Sequence, residues 1–277
     1  MTATRSSPGD DTAFFGHPTG LYTLFYSEMW ERMSYYGMRA LLVLYMTLSI
    51  QEGGLGITVA SATAIYGLYT GAVYFMGLPG GWIADRMIGS QNAIWYGGII
   101  IMCGHLLLAI PHDSTFFIGL IFVVAGTGLL KPNIGALVGQ LYPTGDERRD
   151  SGYTLYYMGI NIGSIIGYLV CGWLQVNVGY HWAFGAAAIG MGAGLIQFRL
   201  SLGKLHGHGA NPTVKLSSLG IKRTQLTLVA ALALTTGLTY LIMSGSVAID
   251  PVSLAQYVAL LITVVFLGYY AAIFLFA

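Results

Sequence analysis

Apolar residues run along this chain in long blocks broken by short polar stretches. The breaks predict eight helical spans, at about 21–50, 57–84, 92–110, 116–141, 151–176, 182–202, 226–243 and 254–277. These blocks are too long and too continuous for barrel strands, whose inward and outward positions alternate. The expected fold class is all-α, integral to a membrane. Connections are short except at 203–223, where Gly-His-Gly-His-Gly, Asn211-Pro212 and scattered lysines read as a linker. The reading divides the chain into a polar tail (1–19), a six-helix bundle (20–203), a linker (204–225) and a two-helix hairpin (226–277).

The first span departs from its own pattern. It has no proline from Leu21 to Ile50, enough for about 45 Å of helix, yet it carries Glu28, Glu31, Arg32 and Arg39. At about 100° per residue these four share an arc of about 140° with Tyr35 and Tyr36. Each ionised group near mid-bilayer costs about 2.5–3.5 kcal/mol on insertion scales, so the stripe needs partners or a water-filled cavity. One reading is a structural staple in which Glu28 and Glu31 neutralise Arg32 and Arg39. The other is a substrate or proton pathway, the usual meaning of intramembrane ionisable groups.

Composition agrees with a membrane protein: of 277 residues, 55% are hydrophobic and 8% charged, against about 25% charged in soluble domains. A net charge of +1 points to no nucleic-acid or acidic partner. Cys103 and Cys171 sit in apolar runs without metal-ligand spacing and read as small packing residues. Three basic residues, Arg32, Arg39 and Lys131, lie within spans. The others are Arg5, Arg86, Arg148, Arg149, Arg199, Lys204, Lys215, Lys222 and Arg223, all on or beside one set of connections, while the opposite loops (51–56, 111–115, 177–181, 244–253) carry none. By the positive-inside rule the N-terminus is expected in the cytoplasm. The polar start lacks the layout of a cleaved signal peptide. The last block runs to Ala277 without a polar stop, so the chain is expected to be the N-terminal part of a longer polypeptide.

Glycine pairs at helix-packing spacing (Gly67 and Gly71, Gly77 and Gly81, Gly159, Gly163 and Gly167, Gly190 and Gly194) are expected to let backbones approach. Three other stretches carry chemistry. Gly80-Gly81-Trp82-Ile83-Ala84-Asp85-Arg86 turns the second span towards the third on the basic side. Gly126-Thr127-Gly128-Leu129-Leu130-Lys131-Pro132-Asn133 resembles a dinucleotide loop only superficially, since Lys131 stands at the third glycine position and the apolar run continues. Lys131 is instead a mid-span ammonium in need of a carboxylate, with Glu31 the candidate, and Pro132 would free a carbonyl beside it. Tyr157 and Asn161, four apart on one helix face, offer a hydroxyl and a carboxamide suited to a peptide-like group. Asn161 could equally tie two helices together. Tyr74 adds a further hydroxyl at membrane depth.

Taken in order, Glu-x-x-Glu-Arg-x-x-Tyr-Tyr-Gly at 28–37, Gly-Gly-x-x-Ala-Asp-Arg at 80–86, Gly-x-Gly-x-x-Lys-Pro-Asn at 126–133 and Tyr-x-x-Ile-Asn-x-Gly at 157–163 resemble the proton-dependent oligopeptide transporters of the major facilitator superfamily. The likeness covers roughly residues 20–200, and the hairpin after six helices resembles bacterial members. It implies a proton-coupled symporter of di- and tripeptides in the bacterial inner membrane, with protons as coupling ion and no other cofactor. Glu28, Glu31, Arg32 and Lys131 would couple protons. Arg32, Tyr35, Tyr36, Arg39, Tyr74, Lys131, Tyr157 and Asn161 would meet substrate, and Asp85 and Arg86 would gate the cytoplasmic face. The family's second six-helix half, which supplies an acid for the peptide's amino group, has no counterpart in this sequence. Met33 and Tyr156 stand where the family favours Phe.

Two acids and three bases within the spans leave a net positive site, so nitrate or another small anion is the alternative cargo. A channel or an intramembrane enzyme is the remote alternative. The six histidines offer no converging nucleophile, base and oxyanion donors, and no catalytic or metal-binding residue is expected.

Overall fold

The computed structural model describes residues 11–276 and is built from helices. They are α1 (Gly20–Thr47), α2 (Val59–Phe75), α3 (Gly77–Ile83), α4 (Ser90–Leu108), α5 (Asp113–Gln140), α6 (Arg148–Asn177), α7 (Tyr180–Ser201), α8 (Ser218–Met243) and α9 (Pro251–Phe276). Among the described residues seven segments are long and apolar enough to cross a membrane. α1 is not among them, because its four charges lower its hydropathy, but it is a 28-residue helix with most of its positions buried.

Polar side chains cap the starts of α2 and α5. Thr58 accepts from the Ser61 N–H at the head of α2, and His112 Nδ1 from the Ser114 N–H at the head of α5. The second expected span is broken. α2 ends at Phe75, α3 follows from Gly77, and a π turn over Ala84–Ile88 carries Asp85 and Arg86. α8 starts at Ser218, eight residues before the expected 226, because Ser217 caps it through the Gly220 N–H (3.2 Å) and Lys222 and Arg223 lie inside its opening turns. The remaining linker is pinned to the loop it crosses. The Val214 and Leu216 N–H groups donate to the Asp85 and Arg86 carbonyls (both 3.0 Å), and Gln91 binds the His208 and Gly209 carbonyls.

α1 lies between α6 and α7, α4 packs on α5 and α7, and α3 packs on α5; the hairpin leans its α9 on α2 and its α8 on α5. Small residues make the close seams. A Cβ on Gly163 or Gly167 would collide with the carbonyl of Met29 or Met33, and Gly190 and Gly194 abut Met33 and Trp30, as expected. Gly67, Gly71 and Gly77 meet nothing within 4 Å and Gly81 barely touches Pro132, so these four do not pack in the expected way among the described residues. The α4–α5 seam instead uses Gly97 with Gly126 and Gly104 with Gly119, at spacings that were not singled out in the sequence. Cys171 packs on Gly37, as a small core residue should.

Two apolar cores result. One, around Tyr45, Phe116 and Phe184, occupies the end without basic residues; the other, around Leu24, Ile101, Leu130 and Phe198, lies nearer the basic end. At that basic end, residues 11–19 of the expected tail are strapped down. Asp11 accepts from Thr19 (2.7 and 2.5 Å), the Tyr142 hydroxyl bonds His17 Nδ1 (2.9 Å), and Arg148 reaches the Gly16 carbonyl (3.3 Å). Arg5, counted among the basic residues of this side, lies outside the described residues.

Candidate functional site

Glu28, Glu31 and Arg32 share one face of α1, as the helical spacing predicts, and the fold buries all three at 3% exposure or less. The Arg32 guanidinium sits between the carboxylates. Its Nε is 3.0 Å from Glu28 Oε1 and also contacts Glu31 Oε2. These are ion pairs more than well-aimed hydrogen bonds: Glu28 Oε2, Glu31 Oε1 and Arg32 Nη2 make no hydrogen bond among the described residues. Two acids and one base leave this cluster one negative charge in excess when both carboxylates are ionised. A buried site with an excess carboxylate and spare acceptor oxygens is chemically suited to take up one proton.

Farther along α1, Arg39 pairs with no acid among the described residues. It donates from Nε to the Tyr66 hydroxyl on α2, and its Cζ lies 5.4 Å from that ring. The staple of two Glu–Arg pairs is therefore only half present. Tyr35, an expected substrate ligand, is 3% exposed, with Arg32 and Arg39 at 5.1 and 5.9 Å from its ring centroid. In this conformation it spaces the two guanidiniums and cannot touch a ligand. Tyr36 is half-buried against Tyr168 (5.8 Å).

The other expected residues stand on an open face. The salt bridge between Lys131 and Glu31 expected from the sequence is not formed, because Arg32 occupies Glu31 and the Lys131 ammonium rests 4.4 Å from the centroid of Tyr74. Lys131 is near enough to Glu31 to act on it electrostatically. Tyr74 is 64% and Tyr157 57% exposed. The Asn161 carboxamide donates to the Tyr157 carbonyl of its own helix (3.1 Å) rather than to a neighbouring helix, which leaves its oxygen available. Pro132 lies inside α5, where it removes the N–H that would bond the Gly128 carbonyl. Gly80 of α3 abuts that carbonyl, and Asn133 bridges to the Gly80 carbonyl (3.3 Å) and its own Leu129 carbonyl (2.6 Å). The proline and the asparagine thus fix α3 against α5 just beside Lys131. Asp85 and Arg86 have exposed side chains with no ion pair among the described residues.

Three tyrosines belong to the site that the motifs do not mark. Tyr66 holds Arg39. Tyr69 is buried near Tyr35, Glu31 and Arg39, its hydroxyl without a hydrogen bond among the described residues. Tyr156, 5% exposed, places its hydroxyl beside the Glu28 carboxylate. The signal for Tyr66 and Tyr69 was their three-residue spacing inside an apolar span, and for Tyr156 a hydroxyl where an apolar ring would serve packing equally well.

A sequence profile of the POT family matches residues 91–215. Aligned over 287 positions that take in the whole of this chain, the Peptide transporter YePEPT of Yersinia enterocolitica is 42% identical, and 56% of it is covered. The chain is thus similar to the POT family over residues 91–215 and to this peptide transporter along its whole length. Uncharacterized transporter YclF of Bacillus subtilis (strain 168) is 49% identical over 212 residues, 75% of this chain and 43% of that protein. The crystal structure of peptide transporter POT in complex with sulfate matches with a TM-score of 0.83 at 39% identity, over 94% of this chain and 53% of that one. The chain spans about half the length of the curated relatives it matches. Its architecture is the N-terminal six-helix bundle of the major facilitator fold plus an inserted two-helix hairpin.

Proposed function

We propose that this POT-family chain provides the proton-coupling half of a symporter that carries di- and tripeptides into the cell, acting with a second six-helix half in a polypeptide of the relatives' length. The observation that carries the reading is the buried Glu28–Arg32–Glu31 cluster beside an open face bearing Lys131, Tyr74, Tyr157 and Asn161. With both carboxylates ionised, Arg32 is held in the cluster. A proton on Glu28 or Glu31 removes one charge, loosens that hold and frees a guanidinium which, with Lys131, binds the peptide carboxylate; Asn161 and Tyr157 meet the peptide backbone. Substrate and proton are coupled because each favours the state in which Arg32 is released. Tyr35 and Tyr36 join the substrate side only once that release moves the ring between the arginines. Asp85 and Arg86, exposed on a turn whose carbonyls are pinned by the linker, latch the second half when the basic face closes. That face is cytoplasmic, since the basic residues outside the spans gather there, and the membrane is the bacterial inner membrane. The family is one of transporters, and no catalytic role is assigned to any residue.

The test is uptake of labelled dialanine into proteoliposomes with an acid-outside gradient, competed by unlabelled tripeptide. Uptake above equilibrium that needs the gradient and yields to tripeptide is the expected result. In Glu31→Gln the gradient-driven part is lost while peptide exchange persists; unchanged pH dependence in both Glu28→Gln and Glu31→Gln would sink the coupling scheme. A second reading, a small-anion symporter, draws on the three cations against two acids in the site and on the sulfate named in the solved relative. Gradient-driven nitrate uptake without dialanine uptake would select it.

A further inference from the structure

On the far side of α1 from the open face, a groove of about 480 Å³ runs between α1 and α7 at the basic end of the bundle. Its walls divide by chemistry. Trp30, Ala193, Ile196 and Leu200 give it an apolar lining, while Tyr22, Gln197, Ser201 and Lys204 supply its polar groups, with Lys204 at the basic end. No carboxylate is among these residues. Lys204 is exposed, makes no ion pair among the described residues, and lies with its Nζ 3.6 Å from the Tyr22 ring centroid. That stacking fixes the ammonium but leaves hydrogens to donate. Gln197 is anchored on both sides: its Oε1 accepts from Ser27 Oγ (3.0 Å) and its Nε2 donates to Ser201 Oγ (3.0 Å). One of the two carboxamide hydrogens is therefore left over, on a side chain whose orientation its neighbours hold.

The groove also opens towards hydrocarbon. α7 packs chiefly on α1, α4 and α6, and its outer face carries Trp182, Ile189, Ile196 and Leu200, 64% to 83% exposed and spaced seven, seven and four residues apart as one helical stripe. A long apolar stripe that ends beside a tyrosine and a lysine marks the depth where acyl chains meet headgroups. Arg199, exposed five residues before Lys204 and set 5.6 Å from the Trp95 ring centroid, adds a second cation near that level.

We propose that this groove binds one phospholipid with a negatively charged headgroup. Its phosphate sits on Lys204 Nζ and the spare Gln197 N–H, and one acyl chain lies along Ala193, Ile196 and Trp30. The apolar wall distinguishes a lipid from a free phosphate, and the missing carboxylate favours an anionic over a zwitterionic headgroup.

The experiment is native mass spectrometry of the purified protein after exchange into micelles doped with phosphatidylglycerol or with phosphatidylcholine of the same chains. The wild type keeps one phosphatidylglycerol in preference to phosphatidylcholine. Lys204→Gln, an exposed change that spares the fold, cuts that preference about fivefold, the worth of one interfacial lysine at about 1 kcal/mol. Ala193→Trp, which fills the acyl wall, lowers retention of both lipids, and Lys215→Gln, an exposed lysine outside the groove, changes neither. An unaltered preference in Lys204→Gln overturns the site. So does displacement of the lipid by millimolar glycerol phosphate, which would make it a site for soluble phosphate.

Discussion

The site has two halves that the same chain treats in opposite ways. On α1, Glu28, Glu31, Arg32 and Tyr35 are sealed at 3% exposure or less, with Arg32 ion-paired between the two acids, whereas Tyr74 and Tyr157, from α2 and α6, are more than half exposed, and Lys131 on α5 rests on an aromatic ring. The buried half is closed to solvent and holds one carboxylate in excess, which suits a switch for protons. The open half is cheap to fold and under-partnered, which suits a ligand or a second domain. Lys131 makes the difference concrete: it sits near the carboxylates yet does not join them, because Arg32 already occupies the position between the two acids.

Removing the cation should break the buried half most severely. Arg32→Ala leaves two carboxylates facing each other inside the membrane, a loss of about 3–5 kcal/mol by analogy with broken buried pairs. The expected outcome is a sharp fall in thermal stability together with loss of uptake. Adding Glu28→Gln and Glu31→Gln should restore stability but not uptake. A single variant as stable as the parent would show the cluster to be solvated. On the open half the expectation reverses. Lys131→Met should fold with an unchanged melting midpoint, while uptake at low substrate falls about tenfold or more, the worth of a hydrogen bond to a charged group. The glycines beneath each half sharpen the contrast. Gly163→Ala drives a Cβ into the Met29 carbonyl and towards Arg32, and should cost about 1–3 kcal/mol in stability. Gly71→Ala, with nothing within 4 Å, should be neutral or slightly stabilising.

The smallest effect lies outside both halves, at the strap. Burial and then the neighbouring Arg148 hold the His17 imidazole below its ordinary value, so the docked strap binds protons less readily than the released one. Its stability is fully present above pH about 6.5 and declines as the pH falls below it. Amide exchange at Gly16 and His17, whose N–H groups donate to Thr12 and Phe14, should accelerate on acidification, and His17→Asn should remove that step. Exchange that is flat with pH in the wild type would show the histidine to be uncoupled from docking.

Much of this was legible along the chain, for reasons that differ by residue. The charges on α1 stood out because hydrocarbon penalises them, and helical periodicity alone placed them on one face. The spans could be read because a membrane demands unbroken apolar length. Ser217, which starts α8 early, was less visible, since a polar helical turn outside the bilayer resembles a linker by composition.

What the sequence by itself determined is the all-helical membrane class, the shared face of Glu28, Glu31 and Arg32, and the division of the chain into bundle and hairpin, because each follows from local spacing or from solvent preference. Partner choice was decided only by the tertiary structure. Tyr66 took Arg39, Tyr74 took Lys131, and Gly97 and Gly104 replaced Gly67 and Gly71 as helix seams. Such pairings depend on which helices become neighbours and at what depth, and residues far apart in the chain carry no local signal of either. The same holds for the α1–α7 groove: Lys204 became a fixed cation only when α7 brought it over Tyr22, 182 positions away in the sequence.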